Sequence, residues 1–243
     1  MTKPDLPLSL SGLAVGFSGA VPERKYWTEV AQDRGILEFV ALLSGLVLKY
    51  GGSVVHGAHP TFTPVILRQA QQQAPSRKNK AVTICMSQLW AKLLPAYDRE
   101  RFERESEFVV VSQVGEGDSN DSTVRNASLS AMRRTLVNRM NVLVAVGGMR
   151  HEGTGLTPGV AEEVELARQR GIACFVVGGL GGEAAKVAER FKLDTTELRN
   201  GMSVDKNAEL LSSDDISGCV GIIFEHLANH RHALLHGPTE GRD

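Results

Sequence analysis

The stretch VLVAVGGMRHEGTGLTPGVAEEVEL, Val142 to Leu166, decides how this chain folds. An apolar strand runs into the pair Gly147-Gly148. A small polar loop carrying Met149, Thr154 and Gly155 follows, and a helix opens on Pro158 and Gly159. In an α/β fold such a junction turns bare backbone N–H groups toward an anion, and the helix N-terminus adds its partial positive charge. The loop leads directly into the acids Glu162, Glu163 and Glu165. Acids on the first turns of that helix can reach a ribose hydroxyl or act as a base. The pattern reads as nucleotide chemistry.

Working outward, apolar strand candidates alternate with helical segments: Leu13 to Ser18, Ser53 to Gly57, Lys80 to Met86, Glu107 to Val114, Val142 to Val146 and Ala173 to Val177. Helices are expected over Ile36 to Tyr50, Thr61 to Ala74, Val124 to Met140, Gly159 to Arg170, Glu183 to Phe191 and Asp214 to Leu235. This alternation predicts an α/β fold: one Rossmann-like, doubly wound, mainly parallel sheet with helices on both faces. No repeat or linker divides the chain. One domain is expected, with a core over about residues 10–180 and a C-terminal helical extension over about 183–235.

Composition removes several function classes. The 243 residues are 42% hydrophobic and 23% charged with a net charge of −1, so no basic surface for nucleic acid is expected. Only 5% are aromatic, which disfavours a stacking platform for single strands. No run approaches the roughly 20 apolar residues that span a bilayer, so no membrane partner is expected. Cys85, Cys174 and Cys219 lack CxxC spacing and fit buried thiols in a reducing cytosol. A soluble cytoplasmic protein is the expectation.

Further candidate residues lie at other strand ends. After the first strand, Ser18 offers a hydroxyl to phosphate or ribose, and Gly19 allows close approach. His56, Gly57, His59 and Thr61 leave the second strand, where Thr61 can cap the next helix. The two histidines lack a nearby cysteine or acid to complete a metal site, so contact with a base, ribose or phosphate is the better reading and no cofactor is expected. Gly178 and Gly179 close the sixth strand and permit a sharp bend or a backbone lying against a ligand. Arg133 or Arg134, on the helix before Val142, can reach the same edge to hold phosphate. No phosphate-binding GxxxxGK[ST] motif and no GxSxG nucleophile elbow is present.

Three segments together resemble the SLOG superfamily: GFSGAVPE from Gly16 to Glu23, HGAHPTFTP from His56 to Pro64, and VGGMRHEGTGLTPGVAEEVELA from Val146 to Ala167. That Rossmann-like group unites the DprA proteins and the LOG phosphoribohydrolases with sensor domains of TRPM channels and of sirtuin- and TIR-linked bacterial defence proteins. The likeness covers about residues 10–180, and it is greatest to the defence-linked and TRPM-type sensor domains. It implies a ligand of the nucleotide or ADP-ribose type over the glycine loops. LOG enzymes carry Pro-Gly-Gly-x-Gly-Thr-x-x-Glu and an arginine on the preceding helix. Here Val146 stands in the proline's place, and Met149 to Glu152 separate Gly147-Gly148 from Gly153-Thr154.

Two functions follow from this reading. In the first, the protein is a sensor of an NAD-derived nucleotide in a bacterial stress or anti-phage defence system, passing its signal to a separate effector protein or through a homo-oligomer. The long apolar helix from Ile36 could pair two copies. In the second, it is a LOG-like N-glycosidase or phosphoribohydrolase, with Glu162 or Glu163 activating water and Arg133 holding phosphate. The two readings divide on the acids, which face the ligand cleft in the enzyme and solvent in the sensor.

Overall fold

Residues 8–22, 30–76, 80–149 and 158–236 are described by the computed structural model. Six apolar segments become strands: β1 (Ala14–Ala20), β2 (Ser53–His56), β3 (Val82–Ser87), β4 (Glu107–Val111), β5 (Val142–Gly147) and β6 (Ala173–Val177). All pair in parallel, in the order β4-β3-β2-β1-β5-β6. Every residue of β5 and β6 is buried, as expected for strands covered on both faces. β4 and β6 are the edge strands, and of the two only β4 stays partly exposed.

Chain order builds the sheet outward from β1 to β4, then returns to place β5 on the other side of β1. The crevice beyond the C-terminal ends of β1 and β5 is therefore the point where strand order reverses, the place where open α/β sheets bind ligands. The register brings Ser18 beside Ala145 and Ala20 beside Gly147. Asn141 anchors the other end of this pair: its side chain accepts from the Ala14 amide at 2.8 Å, and its own amide donates to the Ala14 carbonyl at 2.8 Å.

Two apolar layers cover the sheet. On one face α1 (Val30–Lys49), α2 (Thr63–Gln73) and α9 (Ile216–Asn229) bury Phe39, Ile66 and Ile223 against β1 and β2. On the other, α5 (Ser122–Val137), α6 (Gly159–Gln169) and α7 (Gly182–Phe191) bury Leu136, Val164 and Phe191 against β5 and β6. The apolar side of α1, including Ile36, Leu43 and Val47, is buried within the chain, so it is not a free pairing surface.

Several elements differ from the sequence reading. The C-terminal helix expected over Asp214 to Leu235 breaks at His230, which caps α9 before the short α10 (Arg231–His236). α3 (Gln88–Ala91), α4 (Ala96–Glu105) and α8 (Val204–Ser212) were not anticipated. α4 buries none of its residues, so it has no apolar stripe to read. The pairs Arg99–Glu103 and Arg101–Glu105, one turn apart, support it instead. Leu210, Ile223 and Leu227 lie in the same core as Leu13 and Val15, so the C-terminal helices complete the main core. Among the described residues no helix is long and apolar enough to cross a membrane.

Candidate functional site

The site grows from the adjoining ends of β1 and β5. Gly148 sits there at φ +93°, and a Cβ on it would lie 2.4 Å from Val160 Cγ2. Only glycine lets α6 dock this close to the strand end. The Gly148 amide donates to the Ala20 carbonyl at 2.8 Å, while its carbonyl accepts from the Glu183 amide at 3.0 Å. That turn therefore ties β1, β5 and α7 together. It corrects one expectation: the Gly148 amide is engaged by protein and is not offered to a ligand. Gly147 packs in the same way, its missing Cβ position lying 2.6 Å from the Ala20 carbonyl oxygen.

Beside this turn a cavity of about 170 Å³ opens between β1, β2, α5 and α6. Ser18, Gly19, His56, Gly57, His59, Arg133, Gly148, Met149 and Glu163 all line it, with Phe62, Leu129, Met132 and Val160 as apolar backing. Three of its polar walls are buried: both ring nitrogens of His56 lack a hydrogen-bond partner, Arg133 Nε meets only the Glu163 carboxylate as an ion pair, and the Ser18 hydroxyl is set against Glu163. Buried polar groups are nearly always paired, so their convergence makes this cavity the candidate site.

The acids of α6 divide their roles. Glu162 forms a hydrogen-bonded ion pair with Arg133, whereas Glu163 lies 3.8 Å from Arg133 Nε, an ion pair without a hydrogen bond. Glu163 is 8% exposed and lines the cavity. Burial raises its pKa above the ordinary carboxylate value; Arg133 and Ser18 oppose that shift, and Glu162 adds to it. Gly159 permits this packing, since a Cβ there would meet the Arg133 guanidinium at 2.9 Å. The guanidinium consequently rests at the N-terminus of α6, and helix end and side chain form one positive corner. His56 is fully buried, and desolvation, with the charge of His59 second, pushes its pKa down to about 3. It is neutral at physiological pH, one nitrogen a donor and the other an acceptor.

Other expected residues fall outside the cavity. Thr61 does not cap α2; its Oγ1 accepts from the Val21 amide at 3.2 Å and meets His59 Nδ1 at 2.9 Å, holding the His59 loop against the end of β1. Gly178 and Gly179 do not line the cavity. Their missing side chains would strike the Leu211 and Ser213 carbonyl oxygens at 2.3 and 2.0 Å, so the close backbone approach is to the C-terminal end of α8. Thr154 and Gly155 lie outside the described residues. Arg133 is buried while Arg134 is exposed, which resolves the two candidate arginines. Cys85 and Cys174 are buried, and burial pushes both thiols up to about 12. Among the described residues no group of three His, Cys, Asp or Glu could hold a metal ion.

Sequence reasoning missed a second compartment. A cleft of about 500 Å³ adjoins the cavity, sharing Gly57, His59, Leu129 and Met132 as walls and reaching Trp90 on α3. Trp90 sits in a short helix with no periodic signal; its nearness to β3, three residues after Ser87, was the available clue.

A family model described as SLOG cluster2 matches residues 36–213. None of the curated proteins matches the chain. Among solved structures, the X-ray structure of TM1055, a structural genomics target, aligns over 88% of this chain and 99% of its own, at 14% identity and a TM-score of 0.48.

Proposed function

Because this chain belongs to the SLOG family, in its cluster 2, we propose that it binds a nucleotide-type ligand in the cavity between β1 and β5 and hydrolyses its N-glycosidic bond. The observation that carries this reading is Glu163: a buried carboxyl with a raised pKa, on the cavity wall, facing Arg133 and Ser18 and sharing the cavity with His56, whose two ring nitrogens have no hydrogen-bond partner. A carboxyl facing solvent along α6 would have favoured the sensor. Perturbed acids in clefts are the groups enzymes use for proton transfer.

Each residue then has a role. Arg133 and the N-terminus of α6 hold the phosphate. Ser18 and neutral His56 hydrogen-bond the ribose, which lies against the backbone of Gly19 and Gly148 on the cavity wall. Glu163 takes a proton from a water as the water oxygen bonds to the anomeric carbon. The carbon–nitrogen bond breaks, its electron pair leaves with the base, and the base nitrogen takes up a proton. The sum is one water consumed, with free base and the sugar phosphate released. Glu162 holds Arg133 in place.

The sensor reading keeps two supporting observations, Val146 in the place of the motif proline and the four residues Met149 to Glu152 between Gly147-Gly148 and Gly153-Thr154. In that form the ligand is an ADP-ribose or other NAD-derived nucleotide in a stress or anti-phage defence system, and a separate effector carries the output. One experiment separates the two: incubate the protein with AMP, ATP, NAD, ADP-ribose and cyclic ADP-ribose, and follow released base by chromatography and binding by thermal shift. Released base that falls at least a hundredfold in Glu163→Gln, with binding retained, establishes the hydrolase. A thermal shift without any released base establishes the sensor.

A further inference from the structure

Resting on the ligand reading above, we infer that the Trp90 cleft is the subsite for the planar ring of the ligand, with Trp90 stacking on it. The two compartments are continuous: Gly57, His59, Leu129 and Met132 line both. Their chemistry is opposite. The inner cavity holds Arg133, Glu163, His56 and Ser18, whereas Met86, Trp90, Leu94 and Phe102 make the cleft apolar. Of the two charged residues in the cleft, Arg101 is engaged by Glu105 at 3.2 Å, and Asp98 is an anion that repels phosphate. A ligand with one anionic end and one flat, weakly polar end can therefore sit in only one direction, its phosphate by Arg133 and its ring by Trp90. The cleft volume, about 500 Å³, falls within the range that small-molecule groups fill.

Two probes test the assignment, both in Glu163→Gln protein so that AMP is not consumed: AMP, and ribose 5-phosphate, which lacks the purine base. Trp90→Ala is expected to weaken AMP binding by about tenfold or more, the usual effect of losing one aromatic stack. Ribose 5-phosphate binding should change less than about twofold, and Trp90→Phe should recover most of the AMP affinity. The chain has two tryptophans. In Trp27→Phe protein the remaining fluorescence belongs to Trp90, and AMP should quench it while ribose 5-phosphate does not. This second measurement stands even where Trp90→Ala fails to fold. Unchanged AMP binding in folded Trp90→Ala, or no AMP quenching in Trp27→Phe protein that binds AMP, overturns the subsite. Failure of unmodified protein to bind either probe defeats the underlying ligand reading instead.

Discussion

Glu163 and His56 are perturbed in opposite senses by the same cause, removal from water. For Glu163, desolvation disfavours the carboxylate, so the group becomes a base above the usual carboxylate range. The acid limb of base release is therefore expected to lie above about pH 4.5 and to disappear with the residual activity of Glu163→Gln. His56 carries a stability consequence. Its folded pKa of about 3 lies below the ordinary histidine value of 6.5, so between these values the unfolded chain binds a proton that the folded chain refuses. Its contribution is fully present above pH 6.5 and is lost as pH falls toward 3, at about 1.4 kcal/mol per pH unit. Urea unfolding of the ligand-free protein from pH 7 to 4 should show this slope, and His56→Gln should flatten it by one proton. An unchanged slope in the variant would mean that His56 is charged in the folded chain.

At the scale of elements, glycines that look alike in sequence divide into two kinds. Gly182, at φ +70°, would place a Cβ 2.5 Å from the Gly147 carbonyl carbon, so α7 presses its first turn onto the end of β5. Gly178 presses instead on the Leu211 carbonyl oxygen, away from the cavity. Gly182→Ala and Gly178→Ala should each lower the melting temperature by several degrees, since an overpacked site costs about 1–3 kcal/mol. Only Gly182→Ala should also weaken the ligand, because the strand end it displaces carries Gly148 into the cavity. Equal ligand affinity in both variants, measured on the folded fraction, would separate α7 from the site.

At the scale of the molecule, the two faces of the sheet meet different partners: α9 belongs to the face opposite Arg133 and Glu163, while α8 serves both, with Leu210 in one core and Leu211 in the other. Ile223 on α9 is fully buried in the core that holds β1. Ile223→Ala is expected to cost about 2–5 kcal/mol in chemical denaturation, with a single unfolding transition and unchanged ligand affinity. A cost below about 1 kcal/mol, or a separate early transition, would make α8 to α10 an independent appendage.

Much of this architecture was legible because its determinants are local. The six strands stand out as short apolar runs, and β6 begins and ends where its residues change character at Ala173 and Val177. Glycine marks the turn after β5 because the backbone there adopts positive φ. The family likeness rests on those same local segments. α4 and α8 were not legible, since α4 is charged along most of its length, with Phe102 as its one core contact, and α8 is short. The sequence by itself determined the fold class, the strand ends that carry polar and glycine residues, and the neutral charge that goes with a small-molecule ligand. Tertiary structure alone decided the strand order that makes β1 and β5 neighbours, the choice of Arg133 over Arg134, and the turning of Glu163 inward while Glu162 binds Arg133. The reason is geometric. Successive residues on a helix point about 100° apart, so adjacent acids differ only once Val160 and Val164 have fixed how α6 rests on the sheet.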